Sequence, residues 1–259
     1  MPEGDTIHNA ARRMRAVLLD RVPEEISTPH PRHAADRWPQ RLAGRAVRAV
    51  DAHGKHLFVR FDGDLTLHSH LRMTGAWGVH RDGMRWKRSA RRAWLVIRAG
   101  EWSVVEFDGP VLELMRESRT RFDRRLAALG PDVVGERFDS DAFLARLREQ
   151  DPSRAIGDAL LDQRVVAGIG NVWKSESCFA AHVDPWRELA RLRDDEAIAI
   201  VSFANEHMTR SATGDGFSTR PRDVYRRAGL PCRRCGTKIR SRGQGDDNRT
   251  TYWCARCQL

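Results

Sequence analysis

Four of the five cysteines fall within the last 28 residues, as Cys232-x2-Cys235 and Cys254-x2-Cys257. Each pair makes a short knuckle, and the 18 residues between the pairs allow both knuckles to close on one ion. The spacing predicts a four-thiolate zinc site with Cys232, Cys235, Cys254 and Cys257 as ligands, at a Zn–S distance of about 2.3 Å. Four protein ligands leave no open position for water, so this is one structural Zn2+ ion. The alternative, disulfides, belongs to an oxidising compartment, and the opening MPEGDTIHNAARRM has no apolar signal segment. Segment 229–259 is too short to bury a core without metal. It carries Arg233, Arg234, Lys238, Arg240, Arg242, Arg249 and Arg256 against Asp246 and Asp247, a net +5 suited to a phosphate backbone. Cys178, between Ser177 and Phe179 in a predicted helix, reads as a small buried hydrophobe.

The basic bias extends through the chain. Its 259 residues hold 45 Lys+Arg against 35 Asp+Glu, a net charge of +10, and all but four of the basic residues are arginine. That balance points to a polyanionic partner, and the guanidinium fork suits phosphate, although an arginine-rich proteome also accounts for the excess. No apolar run approaches the roughly 18 residues of a membrane span, so no membrane partner is expected. The predicted location is the cytoplasm, at the nucleoid.

Periodicity divides the chain. Ile7, Ala10, Ala11, Met14, Val17 and Leu18 recur at helical spacing, with Arg12, Arg13 and Arg15 elsewhere. From about 40 to 110 the texture becomes short β runs: His56–Phe61, Leu65–His68, Ala93–Arg98 and Trp102–Phe107, separated by turns at Asp62-Gly63-Asp64 and Ala99-Gly100. Antiparallel hairpins in this number pack as a sandwich or barrel. Arg81–Arg92 is predicted to be a mobile, solvated loop. Beyond Gly130-Pro131 the pattern turns helical. Ser140 or Asp141 is the expected cap of one helix, and Asp151-Pro152 opens another through about Leu161. Further helices are predicted over Asn171–Ala181 and Asp194–Met208, and Gly214–Gly229 reads as irregular.

Two short features carry chemistry. In LLDQRVVAGIGNVWKSE at 160–176, Gly168 and Gly170 permit a tight turn and Asn171 opens the next helix, where free N–H groups suit a phosphate or simply await a cap. Met1-Pro2-Glu3-Gly4 places a small residue second, which favours removal of the initiator methionine. Pro2 then presents a secondary amine whose pKa, near 8, leaves a neutral fraction able to attack an aldehyde-like carbon.

Pro-Glu-Gly at 2–4, Gly54-Lys55 before a strand, SHLRMTGAW at 69–77, LGPDV at 129–133, the 160–176 segment and the finger with Arg249 follow one another in the chain. In that order they resemble the formamidopyrimidine-DNA glycosylase/endonuclease VIII family over nearly the whole length, and FDGPVLELM at 107–115 resembles its endonuclease VIII branch. The resemblance implies an α+β fold: an N-terminal antiparallel β-sandwich catalytic domain with a flanking helix (1–130), a helical helix-two-turn-helix DNA-binding domain (131–228) and a zinc finger hairpin (229–259). It implies a monomeric bifunctional DNA glycosylase/AP lyase of base excision repair, acting on oxidised pyrimidines in duplex or single-stranded damaged DNA. Pro2 would form the Schiff base at C1′, Glu3 would protonate the sugar or base, and Lys55 would bind phosphate and assist β-elimination. Arg249 would bind phosphate and assist δ-elimination, and Asn171 would bind phosphate. Arg72, Met73 and Thr74 match the strand end that contacts the lesion, with Met73 filling the vacated space. The chain departs from the family at Asp5-Thr6, where Pro-Glu is usual, at Asp108–Val111, which lacks the Arg-Phe pair of the 8-oxoguanine branch, and at Ala128, where an arginine is common. The Asp5-Thr6 change motivates an alternative: a non-catalytic or lesion-poor damaged-DNA-binding protein on the same fold.

Overall fold

The computed structural model describes residues 2–214 and 221–259, so the irregular stretch expected over 214–229 falls partly outside the described residues. The chain divides into two compact units, 1–127 and 128–259.

In the first unit, helix α1 (Gly4–Leu18) buries Ile7, Ala11, Met14, Val17 and Leu18 and leaves Arg12, Arg13 and Arg15 exposed, as the 3.6-residue period requires. Strand β1 (Glu25–Ser27) and the short helix α2 (Trp38–Leu42) follow. Then come β2 (Val47–His53), β3 (His56–Phe61), β4 (Leu65–His70), β5 (Ala76–Arg81), β6 (Ala93–Ala99), β7 (Trp102–Phe107) and β8 (Val111–Arg116). Helices α3 (Glu117–Phe122) and α4 (Arg124–Ala127) close the unit. Two four-stranded antiparallel sheets result, ordered β2-β3-β4-β8 and β1-β6-β7-β5. Leu57, Val59, Phe61 and Leu67 of one sheet share a core with Leu95, Ile97 and Val104 of the other and with the apolar face of α1.

Arg81–Arg92 is exposed over most of its length, as its charge suggests, with Trp86 and Arg88 half-buried. Strand β7 is buried on both faces, and the outer face needs a cover. Trp86 supplies it, packing edge-on against Phe107 with ring centroids 5.7 Å apart, over Ala93, Val96 and Val105. Arg88 and Arg92 close on Asp108.

A carboxyl group also lies inside this unit. Glu106 on β7 is fully buried; Ser69 Oγ donates to its Oε1 at 2.5 Å, and no partner reaches its Oε2. Burial pushes its carboxyl up to about 8, so it is largely protonated at neutral pH. Because the folded pKa lies above the unfolded one, ionisation favours the unfolded chain as pH rises from about 4.5 through 8. The cost to the fold reaches at most about 3 kcal/mol at pH 7. Glu106→Gln is therefore expected to gain melting temperature relative to wild type between pH 5 and pH 8. A difference that stays flat with pH would show that Glu106 is not the titrating group.

The second unit is helical: α5 (Ser140–Arg148), α6 (Ile156–Ala159), α7 (Asn171–Ala180) and α8 (Asp194–Thr213) precede the hairpin β9 (Arg240–Gln244) and β10 (Arg249–Trp253). The cap of α5 is Asp139, whose carboxylate accepts from Ala142 N at 2.9 Å, one residue earlier than expected. The helix predicted from Pro152 through Leu161 shrinks to the four residues of α6. Residues 152–156 bond instead to the 187–190 segment, with Leu189 N donating to Arg154 O, Ala190 N to Pro152 O and Ile156 N to Arg187 O. Phe143, Leu147, Trp173, Ile200 and Val201 lie in one core. Among the described residues, no helix is long and apolar enough to cross a membrane.

Candidate active site and nucleic-acid interface

In the first unit, Glu3 is the extended residue that opens α1, buried, with its carbonyl accepting from Thr6 N (3.0 Å) and Ile7 N (3.2 Å). Pro2, half-buried, therefore lies just before the positive end of a 15-residue helix. Asp5 is buried too, and its Oδ1 accepts from Thr6 N at 2.8 Å.

Lys55 sits in the two-residue turn between β2 and β3. Gly54 takes φ +55° at the first central position, where such a hairpin favours glycine. Four histidines, His53, His56, His68 and His70, surround this end of the sheet. His68 and His70 stand two apart on β4, and His56 is directly opposite His70 on β3. The i, i+2 spacing was the available signal. His56 Nδ1 and His68 Nε2 share a hydrogen bond of 2.8 Å, and the His56 and His70 rings meet edge-on at 4.7 Å. Burial, followed by the neighbouring imidazoles, pushes His56 down to about 2. Burial, followed by the charges of Arg72 and Lys55, pushes His70 down to about 4. Both rings are neutral at physiological pH and can share or pass a proton without adding charge beside Lys55.

Arg72, Met73 and Thr74 form the tip of a tight turn that Gly75 N closes onto Leu71 O at 2.9 Å. Met73 is 63% exposed and stands outside the core. Thr74 Oγ1 donates to Asp108 O at 3.2 Å.

In the second unit, Gln163 braces the glycine turn: its Oε1 accepts from Gly168 N (3.0 Å), and its Nε2 donates to Ile169 O (3.1 Å). Gly168 needs this freedom, at φ +104°. Asn171 is buried at the first position of α7 and does not cap the helix. Its Nδ2 donates to Thr250 O at 2.7 Å, the residue after Arg249 on β10, while its Oδ1 has no partner. One turn on, the fully buried Lys174 donates through Nζ to Thr251 Oγ1 and, at 3.4 Å, to Gln244 Oε1. Neither Gln163 nor Lys174 was singled out from sequence. Gln163 braces the turn that leads into α7, and Lys174 seats the hairpin that carries Arg249. Arg249 itself is bonded to Asp247 Oδ2 through Nε (3.2 Å) and Nη2 (3.0 Å), at the edge of a cavity of about 500 Å³ shared with Arg154, Asp158, Gln163, Arg164 and Gln244.

The four cysteines converge, every Sγ within 4.8 Å of the others, with Cys232–Cys257 at 3.9 Å and Cys235–Cys254 at 3.5 Å. These separations are far longer than a disulfide and match the edge of a Zn–S tetrahedron, about 3.8 Å. The donor set therefore fits zinc. The knuckles pack on Phe179 at the end of α7, where Arg234 Nη1 donates to the Phe179 carbonyl at 2.7 Å. Cys178 is buried in the helical core, and burial pushes its thiol up to about 12, as expected of an inert side chain.

Comparison with known proteins agrees with this layout. Residues 1–122 match the formamidopyrimidine-DNA glycosylase N-terminal domain, 129–222 the H2TH domain of the same enzymes, and 229–259 the zinc finger found in FPG and IleRS. The chain is 42% identical to a probable endonuclease 8 2 of Streptomyces coelicolor, covering all of this chain and 94% of that protein. It is 36% identical to the DNA-(apurinic or apyrimidinic site) lyase Nei2 of Mycolicibacterium smegmatis, covering 100% and 99%. Its fold superposes on Lactococcus lactis Fpg, solved with an N7-benzyl-Fapy-dG DNA, with a TM-score of 0.83 at 23% identity over the full length of both chains. The chain belongs to the formamidopyrimidine-DNA glycosylase/endonuclease VIII family.

Proposed function

We propose that the protein is a bifunctional DNA glycosylase and AP lyase of base excision repair that excises oxidised pyrimidines and cleaves the strand by β,δ-elimination. The observation that carries this reading is the buried Glu3 opening α1 with Pro2 just before it. Once Met1 is removed, the helix dipole disfavours the protonated form of the Pro2 amine and raises the fraction able to attack. The amine attacks C1′, the C1′–base bond breaks, and Glu3 protonates the sugar as the ring opens to an iminium. Loss of the C2′ proton then expels the 3′ phosphate, and a second elimination expels the 5′ phosphate. Lys55, beside neutral His70, holds phosphate and assists the first elimination; Arg249 assists the second. Asn171 and Arg72 add phosphate contacts, Thr74 contacts the lesion strand, and Met73 fills the space that the everted nucleotide leaves. Cys232, Cys235, Cys254 and Cys257 hold one zinc ion that fixes the hairpin bearing Arg249. The resemblance of 107–115 to the endonuclease VIII branch and the lack of an Arg-Phe pair at Asp108–Val111 support oxidised pyrimidines as substrates. We take 1–130, 131–228 and 229–259 as the catalytic, helical and finger parts of a monomer working at the nucleoid.

Borohydride trapping on an abasic-site oligonucleotide tests the reading, since reduction of the iminium leaves a stable crosslink. A crosslink is expected. Its absence, with zinc bound and DNA binding intact, would favour the lesion-poor binding protein, the reading that Asp5-Thr6 supports. Salt tests the interface separately. Three cationic phosphate contacts, Lys55, Arg72 and Arg249, correspond to a log–log slope of about −2.7, or roughly a 40-fold loss of affinity between 50 and 200 mM salt. A flat titration would count against them.

A further inference from the structure

The turn that carries Met73 is held from outside by a polar clamp. Arg88 Nη1 donates both to Thr74 O (2.8 Å) and to Asp108 Oδ2 (3.0 Å). Arg92 takes the same carboxylate in a fork, Nε to Oδ1 at 3.0 Å and Nη2 to Oδ2 at 2.7 Å. Asp108 N returns a bond to Arg92 O at 3.0 Å, and Thr74 Oγ1 reaches Asp108 O. Three segments distant in sequence are thereby tied together: the β4–β5 turn, the β7–β8 turn and the Arg81–Arg92 crossover.

Two residues in this arrangement adopt a backbone that L side chains avoid, Arg72 at φ +49° and Asp108 at φ +51°. Such conformations persist only where the surroundings over-determine them. The β7–β8 turn also has a firm floor, since a Cβ on Gly109 would lie 2.1 Å from Glu106 Oε1. Isolated surface ion pairs contribute little, but here a carboxylate only 21% exposed receives two arginines in a fixed geometry. At the apex stands a large apolar side chain turned to solvent.

We propose that Arg88 and Asp108 are positioning residues for base displacement, holding the Met73 turn rigid enough to enter a duplex. The inference rests on the reading of Met73 as the side chain that fills the vacated space. Extruding a nucleotide from a duplex costs a few kcal/mol, whereas a single strand has no stacked, paired position to refill. The clamp therefore matters for duplex substrates and not for single strands.

The test compares Asp108→Asn and Arg88→Met with wild type and Met73→Ala, on one oxidised-pyrimidine oligonucleotide in duplex and single-stranded form. Asparagine tolerates the left-handed backbone, so the first variant keeps the turn, and melting temperatures check both. Each clamp variant is expected to lose about tenfold in kcat/KM on duplex and less than about twofold on the single strand, in line with the cost of a small misplacement. The two substitutions change charge in opposite directions. If the residues acted only by attracting or repelling DNA, Arg88→Met would weaken and Asp108→Asn would strengthen duplex cleavage, and the proposal would fall. Equal losses on both substrates, or none, would also overturn it. A duplex with an uncleavable abasic analogue and 2-aminopurine opposite gives a readout free of chemistry; both variants are expected to damp the fluorescence rise on binding. If Met73→Ala is silent, the Met73 reading fails. If Met73→Ala is impaired and the clamp variants are not, only the clamp fails.

Discussion

A Pro2→Gln protein is expected to give no borohydride crosslink on an abasic-site oligonucleotide while still binding it. The large second residue retains Met1, so the α-amine moves one residue away from the start of α1, a shift of about 3.5 Å along the chain. A nucleophile must sit within about 3–3.5 Å of its target, so the displaced amine loses its attack geometry. The expected loss in excision rate is at least about 10³-fold, or 4 kcal/mol in barrier. Pro2→Ala is a milder change. It permits methionine removal and leaves a primary amine in place, so its crosslink is reduced, not lost. This ordering separates the position of the amine from the identity of the ring. A wild-type crosslink in Pro2→Gln would move the nucleophile to a side chain, and sequencing the crosslinked peptide would say which. Glu3 and the fold of α1 are untouched by either substitution, so circular dichroism and DNA affinity should hold.

Periodicity and spacing make much of this protein legible in its sequence. The buried face of α1, the strands His56–Phe61 and Trp102–Phe107, and the convergence of four cysteines follow from local rules: period 3.6, period 2, and paired knuckles. What sequence missed has a common cause. Pro152–Ala155 looks like a helix start, but its backbone is claimed by residues 187–190, a pairing with no local signature. Arg81–Arg92 is exposed as its charge suggests; what its composition does not show is that Trp86 covers the outer face of β7 and that Arg88 and Arg92 reach Asp108. Glu106 was one polar letter in an apolar strand, and its burial depends on what packs across the sandwich. The same holds for part of the site. Pro2, Glu3, Asn171 and Arg249 stand in recognisable motifs, and some supports have local signals too: Gln163 reaches Gly168 and Ile169 in its own segment, and His68 and His70 stand two apart. Lys174 declares itself only through Gln244 and Thr251, 70 and 77 residues on.

Stripping zinc is expected to separate the two eliminations. The β9–β10 hairpin has two strands and five residues a side, which is marginal alone in water. Its supports include the cysteine knuckles at its base, the polar seam in which Asn171 bonds Thr250 O while Lys174 bonds Thr251 and Gln244, and the packing of Trp253 on Trp186. Metal binding in so small a segment is folding free energy, so chelation or Cys254→Ser removes the larger support and loosens Arg249 with it. Pro2, Glu3 and Lys55 belong to the other unit and do not depend on the finger for their own fold. The zinc-free protein should therefore still trap on an abasic site at high protein concentration, with duplex affinity down about 100-fold and product shifted from δ- to β-elimination. One zinc per chain should be released. Cobalt or cadmium, which also accept four thiolates, should restore the δ product, because the metal holds Arg249 in place without touching DNA. Retention of both affinity and δ product after complete zinc loss would break the link between the finger and Arg249. It would leave the Lys174 and Asn171 seam as sufficient to hold the hairpin, a result that Lys174→Met in the zinc-free background would then have to reverse.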